Sequence, residues 1–328
     1  MVQEKLKIAF CGDVMLGRGV NEVILKRDPS YVWGDVLALR KNVDLFAINL
    51  ECVISQRGSP WGATPKVFHF RADPKAFDVL KAAHVNYVSL ANNHTLDYGA
   101  PAMVDMTKNL KKEKISFSGA GRNAQAAWKP AIVIHKGYKI AFLSLTDNMP
   151  EWEATHDVPG VNYLPISLEE PILCRVQRMI DLVLQQKPTL TVLSIHWGPN
   201  MRTYPSKLFI EFAHRVMEMG IDIFHGHSAH VFQGLEIYRG KPIFYDTGDF
   251  LDDYMISEYI DEQMLYCLHY DGKILKKIEL YPVKLEYARV NQAKGEVIHS
   301  IYDRIQKRSE PFGTKIRKEK ERFVIDVF

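Results

Sequence analysis

Three histidines, His225, His227 and His230, fall within six positions, directly behind the apolar residues Ile221, Ile223 and Phe224. That run reads as a buried strand, which places the histidines in the loop past its C-terminal end, with Gly226 letting the backbone turn. Open α/β sheets bind their ligands at that end. The pattern recurs. Asp13 follows the apolar run 7–11, Glu51 follows 43–50, Asn93 and His94 follow 86–90, and His196 follows 189–195. Each has an ordinary reading alone: Asp13 as a helix cap, Asn93 as a turn former, one histidine as a hydrogen-bonded structural residue. Their repetition at strand ends points to one shared site, because neighbouring strands bring those ends together.

A mixture of carboxylates, imidazoles and one amide oxygen suits Mn, Fe or Zn better than Ca or Mg, which prefer all-oxygen shells. The metal set is then Asp13, Glu51, Asn93, His196, His227 and His230, holding one or two divalent ions, with a metal-free site as the alternative. If two ions bind, Glu51 is the candidate bridge. Such a pair polarises a phosphoryl or carbonyl oxygen, with His94 as general acid or orienting group. Arg18 either clamps an anion or lies on the surface.

The elements that carry these residues alternate between strand and helix. Helices are expected at 20–27, at 74–83 with Asp73 as cap, at 101–113 and at 206–219, and a Ser167/Glu170 capping box opens another that runs to Lys187. Further strands are expected at 115–118, 131–135 and 139–145. Beyond Phe250 comes a hairpin, 263–270 and 273–283, turning at Asp271-Gly272. The segments 55–66 and 146–166 lack periodicity and read as loops over the site or as connections. The last thirty residues read as a basic amphipathic helix with a solvated face.

With 328 residues, 47% hydrophobic and 25% charged, the composition is that of an ordinary globular protein with a sizeable core. A net charge of +3 gives no argument for nucleic acid. Cys11, Cys52, Cys174 and Cys267 lack CxxC spacing, so reduced thiols are expected. Neither a leader pattern nor an apolar run of membrane-span length occurs, so no membrane insertion and a cytoplasmic location are expected.

The order of these motifs resembles the calcineurin-like metallophosphoesterase superfamily. More closely it is similar to the CapA family of poly-gamma-glutamate capsule proteins, through GDVMLGR at 12–18, NLE at 49–51, ANNHTLDYG at 91–99, HWG at 196–198, GHSAHVFQGLE at 226–236 and GKPIFYDTGDF at 240–250. Two positions after the first aspartate, where that superfamily carries a histidine, this chain has Met15. Many relatives read GHHPH and GNF where it has Gly226 to His230 and Gly248-Asp249-Phe250, so Asp249, Asp252 and Asp253 are candidate replacement ligands or acid/base groups.

The resemblance implies an α/β fold, a four-layer α/β/β/α sandwich of two packed mixed sheets, with the later hairpins completing the second sheet. The domain is expected over 5–283 and a helical extension over 284–328. It implies a metal-dependent hydrolase of a phosphoester or of a glutamyl or peptide amide, with a small-molecule or polyglutamate-type substrate. The catalytic candidates are His94, Asp13 and Asp249, and the substrate-binding candidates Arg18, Arg71 and Trp197. Two alternatives stand beside it. One is a metal-independent peptide epimerase, and the other a non-catalytic component that binds an anionic polymer through Arg18, Arg71 and Arg202.

Overall fold

Side-chain alternation buries the first strand, Leu6–Val14, on both faces. Leu6, Ile8 and Phe10 point to one side and Ala9 and Cys11 to the other, and all five are buried in two different core clusters. In the computed structural model, which describes residues 4–254 and 260–327, this strand lies inside a ten-stranded sheet. On one side of it Leu45–Leu50, Tyr87–Ser89 and Ser116–Ser118 follow in parallel. On the other lies the antiparallel hairpin Glu262–Asp271 and Ile274–Glu286. The short strand Asp249–Leu251 runs parallel to its C-terminal end, pairing Asp249 with Asp13.

The second sheet has six strands, ordered Leu235–Tyr238, Lys241–Phe244, Ile223–His227, Leu190–His196, Tyr138–Thr146 and Ala131–His135. Its middle four are parallel. The inner faces of the two sheets meet in one cluster that includes Ile8, Phe10, Phe142, Val192 and Phe244, and the Tyr87 ring stacks on Phe142 at 4.1 Å. Outside the first sheet pack Arg18–Lys26, Ala76–Ala82 and Gly99–Lys112, and outside the second Glu170–Leu184 and Lys207–Glu218. The layers are therefore α/β/β/α, as expected.

Several boundaries differ from the sequence reading. The late hairpin pairs with Leu6–Val14 and extends the first sheet rather than the second, because its alternating apolar residues Met264, Tyr266 and Leu268 continue that strand's inner face. Ile274–Glu286 crosses position 283, where the domain was expected to end. The segment beyond it is not purely helical. Helix Glu296–Ser309 buries Ile298, Ile301 and Ile305 against the hairpin's inner face, and Arg322–Asp326 then pairs with Ile274–Glu286. Ser167 accepts a hydrogen bond from the Glu169 amide, so the anticipated capping box does not form and the helix begins at Glu170 beside Pro171. Among the described residues no helix is long and apolar enough to cross a membrane.

Candidate metal centre

Parallel strands from both sheets end at one place. Asp13 is the penultimate residue of strand Leu6–Val14, Glu51 directly follows Leu45–Leu50, and the loop carrying Asn92, Asn93 and His94 follows Tyr87–Ser89. The other sheet delivers His196 and His227 as the last residues of their strands, paired side by side in register. Strand Ile223–His227 thus includes two of the three clustered histidines, which were expected in a loop. Gly226 serves a close approach there and not a turn, since a Cβ at that position would sit 2.2 Å from the Tyr245 carbonyl oxygen.

At this site, among the described residues, two groups of ligand-type atoms form, each with its atoms within 4.8 Å of one another, and they share Asp13. In the first, Asp13 Oδ1 stands 3.7 Å from His196 Nδ1 and 3.6 Å from His227 Nδ1. The second joins Asp13, Glu51, His230 and Asp249. His196 reaches both, its Nε2 lying 3.9 Å from Glu51 Oε1. Asp13, more than Glu51, is therefore the carboxylate common to the two groups.

The chemistry of the donors fits a cation. Among the described residues, Asp13 Oδ2, both Glu51 oxygens, Asn93 Oδ1, His196 Nε2 and Asp249 Oδ2 are buried with no hydrogen-bond partner. Each such atom costs roughly 1–3 kcal/mol, more when charged, and a divalent ion would satisfy several at once.

The site's electrostatics follow from burial and crowding. Burial, then the adjacent Asp13 carboxylate, holds Glu51 well above the usual carboxylate range. Burial also pushes Asp13 up, but the His196 and His230 imidazoles and the Asn49 amide outweigh it, leaving Asp13 below its ordinary value. His227 is pushed well down by burial and the neighbouring imidazoles, which favours the neutral form that ligates. Burial would depress His230 as well, yet Asp249, 2.8 Å away, raises it well above the usual range.

The catalytic candidate His94 borders the second group. Its Nδ1 lies 2.6 Å from Asp97 Oδ2 and its Nε2 3.7 Å from Glu51 Oε1, and its ring stacks on Phe70 at 3.9 Å. Lys66, from the long loop, binds the Asn93 carbonyl at 2.7 Å and Asp97 Oδ1 at 3.3 Å. Burial, with Lys66 adding to it, keeps His94 neutral. Burial lifts Asp97 to about 7 against the pull of Lys66.

The other nominated residues separate. Arg18 is held by Asp253 at 3.1 Å among Phe68, Phe70 and Tyr254, and it lines a pocket of about 430 Å³ together with Arg71. Arg71 stacks on Tyr98 at 3.5 Å and donates to the carbonyls of Arg57 and Gly58. Arg202 is exposed, and its carbonyl accepts from Gln233. Trp197 does not line the cleft. It is 3% exposed, packs on Phe209, Phe212 and Phe224, and donates to the Tyr245 carbonyl, so it is a core residue of the second sheet. Met15 is buried with its sulfur accepting from the Gly17 amide. His225 bridges the Cys11 carbonyl and Ser194.

Residues that the sequence reading left out of the site complete it. Asn49 donates to Asp13 Oδ1 at 2.7 Å and accepts from Asn92, fixing the shared carboxylate. Asp97 and Lys66 orient His94. Asp246 accepts from the Ala229 and Gly248 amides and so holds the His230 and Asp249 loops together. Asn49, Asp97 and Asp246 all fall inside the motifs, but only the fold reveals their partners.

Residues 7–254 match the family described as "Bacterial capsule synthesis protein PGA_cap". A probable polyglutamine synthesis accessory protein of Mycobacterium tuberculosis is 29% identical, covering 93% of this chain and 91% of its own. The PGA biosynthesis protein CapA of Bacillus subtilis is 27% identical, covering 98% and 83%, and the capsule biosynthesis protein CapA of Bacillus anthracis 29%, covering 76% and 60%. Among solved structures, a hypothetical protein from Thermus thermophilus superimposes with a TM-score of 0.50 at 14% identity, covering 85% of this chain and 99% of that one, a likeness of fold alone.

Proposed function

The chain belongs to the bacterial capsule synthesis family PGA_cap, within the metallophosphoesterase-like superfamily, and from that membership we propose that it is a metal-dependent hydrolase of a glutamyl-type amide, acting in the synthesis of a polyglutamate-like polymer. The observation that carries the proposal is the set of unpartnered buried donors around Asp13 and Glu51. Asp13, Glu51, Asn93, His196, His227 and His230 would hold Mn, Fe or Zn, with Asp249 beside them. A bound divalent ion supplies Lewis-acid polarisation of a carbonyl or phosphoryl oxygen. The protein's own groups do the rest. Asp97 accepts the Nδ1 proton of His94, which leaves Nε2 facing Glu51 to take up or return a proton at the leaving group. Phe70 covers one face of that ring and limits water. Arg18, beside the cleft, is the cation placed to receive a substrate carboxylate.

Two histidine–carboxylate pairs, His94–Asp97 and His230–Asp249, favour a second reading, in which two bases exchange an α-proton in a metal-independent peptide epimerase. Incubation of Mn-, Fe- and Zn-loaded protein with poly-γ-glutamate in D2O separates the readings. Hydrolysis predicts new amines, abolished in His94→Asn. Deuterium at α-carbons without new amines would replace the hydrolase with the epimerase. Neither product, together with no turnover of phosphodiesters, would leave a binding role alone.

A further inference from the structure

Away from the metal centre, the margin of the sandwich where both sheets end carries a groove of about 720 Å³. One wall is helix Gly99–Lys112, which presents Val104, Lys108 and Lys111 at helical spacing, continued by Lys114. The opposite wall carries Arg122 and Lys129. Among the described residues, five cations thus line the groove and no carboxylate does. Among the described residues none of the five lies in an ion pair. The whole chain carries only +3, so this concentration of charge is local.

The floor includes Phe117 and Ile132, from strands Ser116–Ser118 and Ala131–His135. Among the described residues each is the last strand of its sheet, pairing on one side only. A free edge offers alternating amide donors and carbonyl acceptors, which match a polypeptide, whereas a phosphodiester backbone offers acceptors alone. Cations outside any ion pair, with Lys111 over the Phe117 ring at 5.7 Å, line the groove together with residues of two such edge strands and suit an extended chain bearing carboxylates.

We propose that this groove binds an acidic polypeptide, of the polyglutamate class, at a site separate from the metal centre. The five cations neutralise the carboxylates of the polymer, and Val104, Phe117 and Ile132 contact its methylene groups. Because the groove holds the polymer by charge, binding weakens as salt rises. Polymer length beyond what the metal centre itself contacts then contributes to affinity.

The test measures binding of labelled oligo-γ-glutamate to the whole chain by fluorescence anisotropy, independently of turnover, so its result stands apart from that of the hydrolase assay. Lys108→Glu/Lys111→Glu/Lys114→Glu is expected to weaken binding by about tenfold or more at about 0.15 M salt. Arg122→Glu/Lys129→Glu, on the other wall, should do the same and serves if the triple variant fails to fold. The control is Lys41→Glu/Lys276→Glu, in a second lysine-lined cleft of about 710 Å³ that also contains Asp44 and Asp271, and its affinity should not change. No binding by the parent, undiminished binding by the folded groove variants, or an equal loss in the control would overturn the proposal. So would equal or tighter binding of an oligodeoxynucleotide of matched charge.

Discussion

Asp13 is the residue on which both ligand groups depend, and its carboxylate is fixed by the Asn49 amide at 2.7 Å. Asn49→Leu is expected to leave the fold intact yet weaken metal retention by about 10–100-fold, the usual effect of losing an orienting partner. Titration of the protein with Mn or Zn would check this. Protons compete with the ion at every ligand. Glu51 and His230 are both raised above their ordinary values, so their protonated forms persist to higher pH than usual. Metal retention should accordingly fall with decreasing pH from well above about 4.3, the ordinary glutamate value. Met15 makes the opposite prediction. Its sulfur is engaged by the Gly17 amide, so Met15→Leu should leave metal stoichiometry unchanged, at a stability cost under about 1.5 kcal/mol.

At the level of elements, the contact between Leu6–Val14 and Asp249–Leu251 brings Asp13 beside Asp249. It requires Gly12, where a Cβ would lie 1.7 Å from the Gly248 carbonyl oxygen. Gly12→Ala is therefore expected to cost about 3 kcal/mol or more in urea unfolding, because the two backbones must separate. The strands that carry the site were legible as apolar runs, and the polar residues at their ends marked the cleft. Their extents were less legible. The run through His225 and His227 is a strand buried on both faces, with Ile223 and Phe224 in different core clusters, but Gly226 between the histidines imitates a turn in sequence. Trp197 was misread for a related reason: it directly follows His196, and neighbours at a strand end face opposite sides, one to the cleft and one to the core. Asp97 and Lys66 could not be assigned to His94 from sequence, since the ion pair joining them depends on how the 55–70 loop folds back.

On the scale of the molecule, the two sheets give the site its two halves, and the chain beyond 283 adds strands to the first sheet as well as a helix packed on it. Deleting the final strand, Arg322–Asp326, would remove Phe323 and Ile325 from the inter-sheet core and is expected to prevent folding. Glu279, on the same sheet, accepts from His269 at 2.7 Å and from Lys277 at 2.8 Å. These partners overcome its burial and hold it well below the carboxylate range. The stabilisation is thus present above the unfolded value near 4.3 and lost as pH falls through the lower folded one. Glu279→Gln should lower stability at pH 7 by about 1–3 kcal/mol and weaken the acid dependence of unfolding, as followed by circular dichroism. The central claim is that strand ends from both sheets converge on a divalent-metal centre. Elemental analysis of the purified protein, alone and as Glu51→Gln and His227→Ala, tests it most directly. Near-stoichiometric Mn, Fe or Zn in the parent, lost in both folded variants, is the predicted result. A parent that stays metal-free after loading, or variants that retain the full metal content, would contradict it.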